Sequence, residues 1–360
     1  MICTQISLIQ YKNHKKLHLN LHNAVVCISG ANGSGKTNIL DAIYYSAYTK
    51  SSFSRFDAAI PHFNTQGFSV NAYWQNANNQ LLHIKAILRE TAKKELYCNN
   101  VIYKTLHKHI GLLSAVLIAP EDIALINQDA QVRRKFIDSI LCQTNTQYLQ
   151  AFLTYQKILQ QRNAFLKLQQ PNPTLLQTFN DLLIANGQII YDTRVALLTN
   201  FIPNIISQYA AIALNNAQAE AIAITYSSAM QHTPLAQLIN NSTASDFAAG
   251  RTTQGPHKDD IIIQMQHQPF KTLASQGQKK SMLFAFKMAE FYYIAALKND
   301  YPILLLDDVF EKLDNNRLLN LINALPTAPN FQLIVTDTNN DRLAKLFTTA
   351  KRNFLTISLP

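Results

Sequence analysis

The stretch AVVCISGANGSGKTNILDA at residues 24–42 constrains the fold more than any other part of the sequence. Its first residues are apolar and β-branched, which predicts a buried strand over 24–29, and its last residues have helical spacing. Between them, three of the chain's nine glycines fall within six positions. The octapeptide GANGSGKT matches the pattern G-x-x-x-x-G-K-[S/T], which binds phosphate when a strand precedes it and a helix follows. We therefore predict a phosphate-binding loop.

The residue types in this loop suit a nucleoside triphosphate. Glycine allows positive φ angles and close approach of a ligand, and the N–H groups at a helix N-terminus attract an anion. We expect Lys36 to reach the β- and γ-phosphates and to act in catalysis, and the Thr37 hydroxyl to bind Mg²⁺. The residues predicted to bind ATP in this loop are Gly30, Ala31, Asn32, Gly33, Ser34, Gly35, Lys36, Thr37 and Asn38.

A Mg-nucleotide site also needs a carboxylate at the end of a neighbouring strand. The run ILLL at 303–306 is apolar throughout, which is typical of a central parallel strand covered on both faces. Asp307 and Asp308 follow it directly. We predict that Asp307 binds Mg²⁺ and that Asp308 orients or polarises an attacking water, although an Asp pair can also merely end a buried strand.

Strand and helix signals divide the chain into three parts. Alternating residues predict strands in the first part, with a turn near 76–79, and strands return in the third. In the middle part an apolar stripe follows one face of a helix, and a second helix runs through 174–200 and past Pro203. The stripe consists of Tyr148, Phe152, Tyr155 and Leu159. We predict an α/β head, discontinuous over 1–120 and 220–360, with a helical insertion over 121–219.

The chain carries a formal net charge of +10, which favours a polyanionic partner such as DNA. No helix-turn-helix, zinc finger or aromatic stacking platform is recognisable, so we expect contacts with the DNA backbone rather than with bases. Each candidate below could equally be a solvated charge. The candidates are Lys15, Lys16, Lys93, Lys94, Arg133, Arg134, Lys135, Lys279 and Lys280.

Compartment signals point to the cytoplasm. The four cysteines lie far apart and form no C-x-x-C pair, so we expect free thiols in a reducing environment. The N-terminal residues have no signal-peptide pattern. No stretch supplies the roughly 18 to 20 consecutive apolar residues of a membrane span, and we expect no membrane partner.

Two other glycine-containing stretches stand out. RTTQGPHKDD at 251–260 precedes a predicted strand, and SQGQKK at 275–280 opens a predicted helix. The second resembles the S-x-G-Q signature of ATP-binding-cassette ATPases, and DVFEKLD after the strand ILLL resembles their D-loop. The resemblance implies that Ser275, Gly277 and Gln278, with Asp314 of the D-loop, bind the nucleotide held by another subunit.

The chain as a whole resembles the RecF family of bacterial recombination and repair ATPases, which are related to SMC-type heads. The similarity includes GANGSGKTNILDAIYY, APEDIALINQDAQVRRKFID, RTTQGPHKDDI, ASQGQKKSMLFAFKMAE and LLLDDVFEKLD. It implies an ABC-type (SMC-like) P-loop ATPase head with an inserted all-helical arm.

The resemblance also implies a function. A member would be a cytoplasmic, ATP-dependent DNA-binding protein that dimerises when ATP is bound and engages single-stranded or gapped duplex DNA. It would promote recombinase loading with RecR and RecO, and serve replication-fork recovery and the SOS response. Its ATPase activity would be weak and stimulated by DNA, with slow hydrolysis that resets the dimer.

Some positions depart from the cassette-ATPase pattern. Thr336 and Asp337 stand where a switch histidine is expected, Asp308 stands where a glutamate is usual, and residues 120–122 (PED) occupy about the place of the Q-loop. Two other functions are disfavoured. A purely structural SMC-like head would need long heptad arms, for which the insertion over 121–219 leaves no room. A P-loop kinase for a small metabolite would not need S-x-G-Q.

Overall fold

The computed structural model describes residues 1–168, 172–213, 221–308 and 315–360. The chain forms two compact units. Unit 1 is Met1–Ile123, Ala211–Leu214 and Leu283–Pro360, and unit 2 is Ala124–Ala210 and Asn215–Met282.

The elements have the following bounds. The strands are β1 (Ile2–Tyr11), β2 (His14–Asn20), β3 (Val25–Ser29), β4 (Phe68–Gln75), β5 (Leu81–Leu88), β6 (Lys94–Cys98), β7 (Val101–Ile102), β8 (Ala115–Ile118), β9 (Ile222–Ser227), β10 (Asp260–Met265), β11 (Gln268–Pro269), β12 (Ile303–Leu306), β13 (Leu333–Asp337) and β14 (Leu355–Ser358). The helices are α1 (Lys36–Tyr48), α2 (Ala124–Asn127), α3 (Ala130–Thr144), α4 (Thr146–Phe165), α5 (Pro173–Ala213), α6 (Leu235–Asn241), α7 (Thr243–Ala249), α8 (Phe270–Leu273), α9 (Gln276–Lys298), α10 (Asn315–Ala324) and α11 (Asn340–Thr349).

Unit 1 contains an antiparallel sheet with the strand order β2-β1-β4-β5-β6-β7. Strands β1 and β2 form a hairpin, with a register that runs from Gln5 opposite Asn20 to Tyr11 opposite His14. The predicted turn at 76–79 joins β4 to β5, where the Asn79 N–H donates to the Asn76 carbonyl at 2.9 Å.

The second sheet of unit 1 is parallel, in the order β14-β3-β13-β12-β8. The prediction of a buried central strand is confirmed, because β12 lies between β13 and β8 and all four of its residues are buried. Helix α1 contacts β1 and β4 of the first sheet and β8 and β13 of the second. Because parallel strands end at one edge, the sheet brings the residues after β3, β12 and β13 together there.

Unit 2 combines long helices with the small sheet β11-β10-β9. The predicted stripe is confirmed on α4, where Tyr148 and Tyr155 are buried and Phe152 and Leu159 are partly so. Helix α5 does continue past Pro203, as the sequence indicated.

The extent of unit 2 differs from the predicted division of the chain. Strands β9 and β10 pair with each other, and α3 packs on β10. These contacts group residues 221–282 with the helices, whereas the sequence placed 220–360 in the head. The compact units do not by themselves define where the arm begins and ends, so the arm boundaries at 121 and 219 stay a prediction.

Helix α5 is long and apolar enough over Pro173–Ile212 to cross a bilayer, and 33% of its most apolar window is buried. A core helix passes the same test of length and composition. The buried guanidinium of Arg194 on this helix pairs with Asp138 at 2.8 Å and with Asp259 at 3.2 Å, both in unit 2. These ion pairs tie α5 into the packing of unit 2.

Another ion pair in unit 2 is fully buried. Arg162 of α4 donates to Asp246 at 2.7 Å, and both side chains are 0% exposed. The same guanidinium donates to the Asn180 side chain at 2.9 Å and to the Thr252 hydroxyl at 2.8 Å. Removing one member of such a pair leaves the other charge buried without compensation.

Replacing Arg162 by Met should therefore lower the free energy of unfolding by about 3–5 kcal/mol. The matched control is Arg89→Met. Arg89 pairs with Glu95 but is 51% exposed, so its replacement should cost far less than that of Arg162. Urea denaturation of the full chain measures both, and equal losses in the two variants would contradict the analysis.

A candidate nucleotide-binding site at the edge of the parallel sheet

The glycine loop has the backbone that a phosphate cradle requires. Gly33 and Gly35 have φ angles of 84° and 97°, in the region that favours glycine. A Cβ at Gly35 would also lie 2.4 Å from His14 Nε2. The loop borders a cavity of about 200 Å³, lined by Asn32, Gly33, Gly35, Lys36, Thr37, Asn38 and Asp308.

Lys36, the first residue of α1, is buried at the base of the loop. Its ammonium donates to the carbonyls of Gly30 at 2.8 Å and Ala31 at 3.0 Å. These bonds hold a positive charge against the lining of the cavity. An anion in the cavity would gain from that charge and from the N-terminus of α1.

Thr37 and Asp307 meet at the mouth of the loop, as the sequence predicted for a metal-binding pair. The Thr37 hydroxyl lies 2.9 Å from each oxygen of the Asp307 carboxylate. Burial raises the pKa of Asp307 to about 6, against the lowering effect of the hydroxyls of Thr336 and Thr37. Asp308 follows with a φ of 43°, and its side chain lines the same cavity.

The turn between β1 and β2 supplies contacts that the sequence analysis missed. Asn13 donates its side-chain amide to the Gly33 carbonyl at 3.0 Å, and His14 Nε2 lies 3.1 Å from the Gly35 carbonyl. The Asn38 amide donates to Asn13 Oδ1 at 2.6 Å. Burial lowers the pKa of His14. Nothing in the motif itself signals that a distant hairpin supports the loop.

A buried carboxylate on α1 holds this turn in place. Lys12 pairs with Asp41 at 2.7 Å, and the Asp41 side chain has no exposed surface. Asp41 also accepts from the Tyr11 hydroxyl at 2.8 Å and from the Ser51 hydroxyl at 2.8 Å. The hairpin is thus fastened to the helix that follows the phosphate loop.

The residues in place of a switch histidine have separate contacts. The Thr336 hydroxyl donates to Asp307 Oδ1 at 2.8 Å, and it accepts from the Asp308 N–H at 3.0 Å. Asp337 is fully buried and accepts from Arg342 Nη2 at 2.6 Å and Nε at 2.9 Å. Thr336 is therefore the residue of this pair that contacts the Asp307 carboxylate and the Asp308 backbone.

Ser275 and Gln278 form a reciprocal cap at the start of α9, in unit 2. The Gln278 side chain accepts from the Ser275 N–H at 2.7 Å, and the Ser275 hydroxyl accepts from the Gln278 N–H at 3.2 Å. Ser275 is exposed and Gly277 is half-buried. Asp314, the expected D-loop residue, lies outside the described residues.

Several cations proposed to contact DNA are engaged within the protein instead. Lys94 pairs with Asp57 at 2.8 Å, and Arg133 makes a two-pronged contact with Asp260 at 2.7 and 2.9 Å. Arg134 donates to the Asp259 carbonyl. Folding already engages the charge or donors of these three side chains, and their contact with DNA stays a prediction. Exposed candidates are Lys15, Lys16, Lys93 and Lys135.

Known proteins resemble this chain over nearly its whole length. The model of the RecF/RecN/SMC N terminal domain family matches residues 2–355. The DNA replication and repair protein RecF of Phocaeicola vulgatus is 32% identical over 98% of this chain and 95% of its own. The protein of the same name from Flavobacterium johnsoniae is 34% identical over 95% of each chain.

Solved structures share the fold of this chain. The recombination mediator protein RecF-ATPrS in the RecFOR pathway matches with a TM-score of 0.87 at 24% identity, over 99% of this chain and 96% of its own. An Smc head bound to the C-winged helix domain of ScpA matches with a TM-score of 0.55 at 15% identity, over 95% and 91%. The predicted ABC-type (SMC-like) ATPase fold with a helical insertion is confirmed. The chain belongs to the RecF family, within the RecF/RecN/SMC N terminal domain family.

Proposed function

We propose that this protein is an ATP-dependent DNA-binding protein of recombinational repair whose two subunits close on each other when ATP is bound. The observation that carries the proposal is the meeting of Thr37 and Asp307 at the phosphate loop. That pair, with the loop and Lys36, is the set of groups that a Mg-triphosphate needs. The names of the relatives support DNA repair as the setting.

The residues at the loop fit Mg²⁺. A hydroxyl and a carboxylate are the oxygen ligands that this ion takes, and Thr37 and Asp307 already lie within 2.9 Å of each other. Among the described residues, no three His, Cys, Asp or Glu side chains gather as a metal cage. Mg²⁺ usually completes its shell with substrate phosphates and water, and when bound it would neutralise phosphate charge.

The protein's own groups would carry the rest of the chemistry. Lys36 would bind the β- and γ-phosphates, and Asp308 would orient the attacking water. The buried hydroxyl of Thr336 would hold the Asp307 carboxylate and the Asp308 backbone in position. As the family resemblance implies, we expect weak, DNA-stimulated hydrolysis that resets the dimer rather than rapid turnover.

The signature residues would complete the site from the other subunit. Ser275, Gly277 and Gln278, with Asp314, would bind the γ-phosphate held by the partner's loop, as the resemblance to cassette ATPases implies. The cap between Ser275 and Gln278 supports this role, because it orients both side chains at the exposed start of α9. A monomer would then hold half of each site.

The proposed partners follow from charge and family. A net charge of +10 favours the DNA backbone, and single-stranded or gapped duplex DNA is the proposed ligand. RecR, with RecO, is the proposed protein partner, because a similar structure belongs to the RecFOR pathway. Recombinase loading, fork recovery, a role in the SOS response and a cytoplasmic location complete the proposal.

Ser275→Arg should leave nucleotide binding unchanged but abolish dimerisation in ATP, because the bulky cation would meet the partner's nucleotide. Lys36→Ala should lose both nucleotide binding and dimerisation, since the Lys36 ammonium lies inside the phosphate loop itself. Fluorescent nucleotide titration and sedimentation velocity separate the two effects. Dimers of Ser275→Arg that form in ATP as readily as wild type would refute the shared site.

Thr336→Val should weaken the Mg²⁺-dependent part of ATP binding by about 10- to 100-fold, the range for residues that orient metal ligands. The valine removes the donor to Asp307 while nearly preserving volume. Thr336→Ser, which keeps the hydroxyl, should recover most of the affinity. Isothermal titration at several Mg²⁺ concentrations measures this, and equal Mg²⁺ affinity in Thr336→Val and wild type would exclude the positioning role.

A further inference from the structure

The motif RTTQGPHKDD at 251–260 takes no part in the nucleotide site described above. Its residues form one side of a cavity of about 420 Å³ that lies wholly within unit 2. The end of β9 and the residues after it form the other side. The lining residues used below are Ser227, Arg251, Gln254, Gly255, Lys258 and Asp259, which we call the 251–259 pocket.

The charge in this pocket is unbalanced. Arg251 and Lys258 are both exposed, and within the described residues neither side chain has an ion pair or a hydrogen bond. The lining carboxylate, Asp259, is already bound to Arg194 at 3.2 Å and accepts from the Tyr226 hydroxyl. Two cations therefore face the cavity with no carboxylate left to neutralise them.

The pocket wall is fixed from behind by buried polar groups. Gly255 has a φ of 124°, and a Cβ there would lie 2.7 Å from the Tyr155 hydroxyl oxygen. Tyr155 bonds to His257 Nδ1 at 2.7 Å, and Arg194 donates to the Pro256 carbonyl at 2.7 Å. Burial lowers the pKa of His257 to about 4, so this ring is neutral at pH 7 and the pocket's charge comes from Arg251 and Lys258.

A second set of bonds fixes the start of the motif. The Asn163 side chain accepts from the Thr252 N–H at 2.7 Å, and the Arg162 guanidinium donates to the Thr252 hydroxyl at 2.8 Å. Asp246 accepts from the Thr253 N–H at 2.8 Å. Because buried side chains bond both the backbone and the hydroxyl of this turn, its shape is set before any ligand arrives.

We propose that the 251–259 pocket binds a phosphate group of the DNA backbone. Arg251 and Lys258 would supply the charge, and Ser227 and Gln254 would add a hydroxyl and an amide donor. Cations joined by hydroxyl and amide donors are the groups with which proteins contact DNA phosphates. This proposal rests on the DNA-binding function proposed above, and it assigns one place where DNA lies on the protein.

The test is DNA binding by Arg251→Gln/Lys258→Gln in the presence of ATP. A fluorescent gapped duplex and a single-stranded oligothymidylate are titrated at several salt concentrations. We expect about tenfold weaker binding and a salt slope less steep by about 0.9 on the duplex and about 0.7 on the single strand, the change for loss of one phosphate contact. The matched control, Lys157→Gln/Lys271→Gln, removes the same charge from two exposed lysines of unit 2 and should bind nearly like wild type.

Measuring ATP binding alongside DNA binding distinguishes a nucleotide phosphate from a DNA phosphate as the ligand of the pocket. ATP affinity of the pocket variant should be unchanged, and a loss of ATP affinity instead of DNA affinity would assign the pocket to a nucleotide and overturn the proposal. So would a salt slope equal to that of wild type. Arg251→Lys/Lys258→Arg keeps the charge and should retain the wild-type slope, which guards against a folding defect. Wild type that fails to bind DNA at all would refute the proposed function rather than the pocket.

Discussion

A hydroxyl at the start of α1 and a carboxylate at the end of β12, 270 residues apart in the chain, meet at 2.9 Å. This contact exists because the two strands that lead to it belong to one parallel sheet, whose carboxyl ends share an edge. Thr336, at the end of a third strand, completes the group. The nucleotide site is thus a property of the sheet order, and it cannot form until both ends of the chain have folded together.

The glycine loop depends on support from outside its own motif. Asn13 and His14 bond to the Gly33 and Gly35 carbonyls, and Lys12 anchors the β1–β2 turn to Asp41 of α1. The first antiparallel sheet therefore does more than cover a hydrophobic surface, since it sets the shape of the phosphate cradle. Fixing the donors before the ligand arrives lowers the cost of ordering them on binding.

Periodic segments and short motifs were readable from the sequence, because their information is local. The apolar run ILLL, the stripe on α4 and the GANGSGKT loop each specify their own structure, and all were found where expected. The support of the loop by Asn13 and His14 could not be predicted, since the sequence of a polar hairpin turn does not indicate which distant segment it contacts. The same limit explains Arg133, whose charge in the sequence is indistinguishable from that of a free cation until Asp260 is seen beside it.

The central physical idea is that a triphosphate held by one subunit attracts the exposed cap of α9 on a second subunit and so joins the two. Light scattering measures the mass of the wild-type protein in solution and tests this idea most directly. Three samples at equal protein concentration are compared: one without nucleotide, one with ADP, and one with ATP and Mg²⁺. The idea predicts the mass of one chain in the first two conditions and of two chains in the third. A mass of one chain at saturating ATP, with nucleotide binding verified in the same sample, would contradict it.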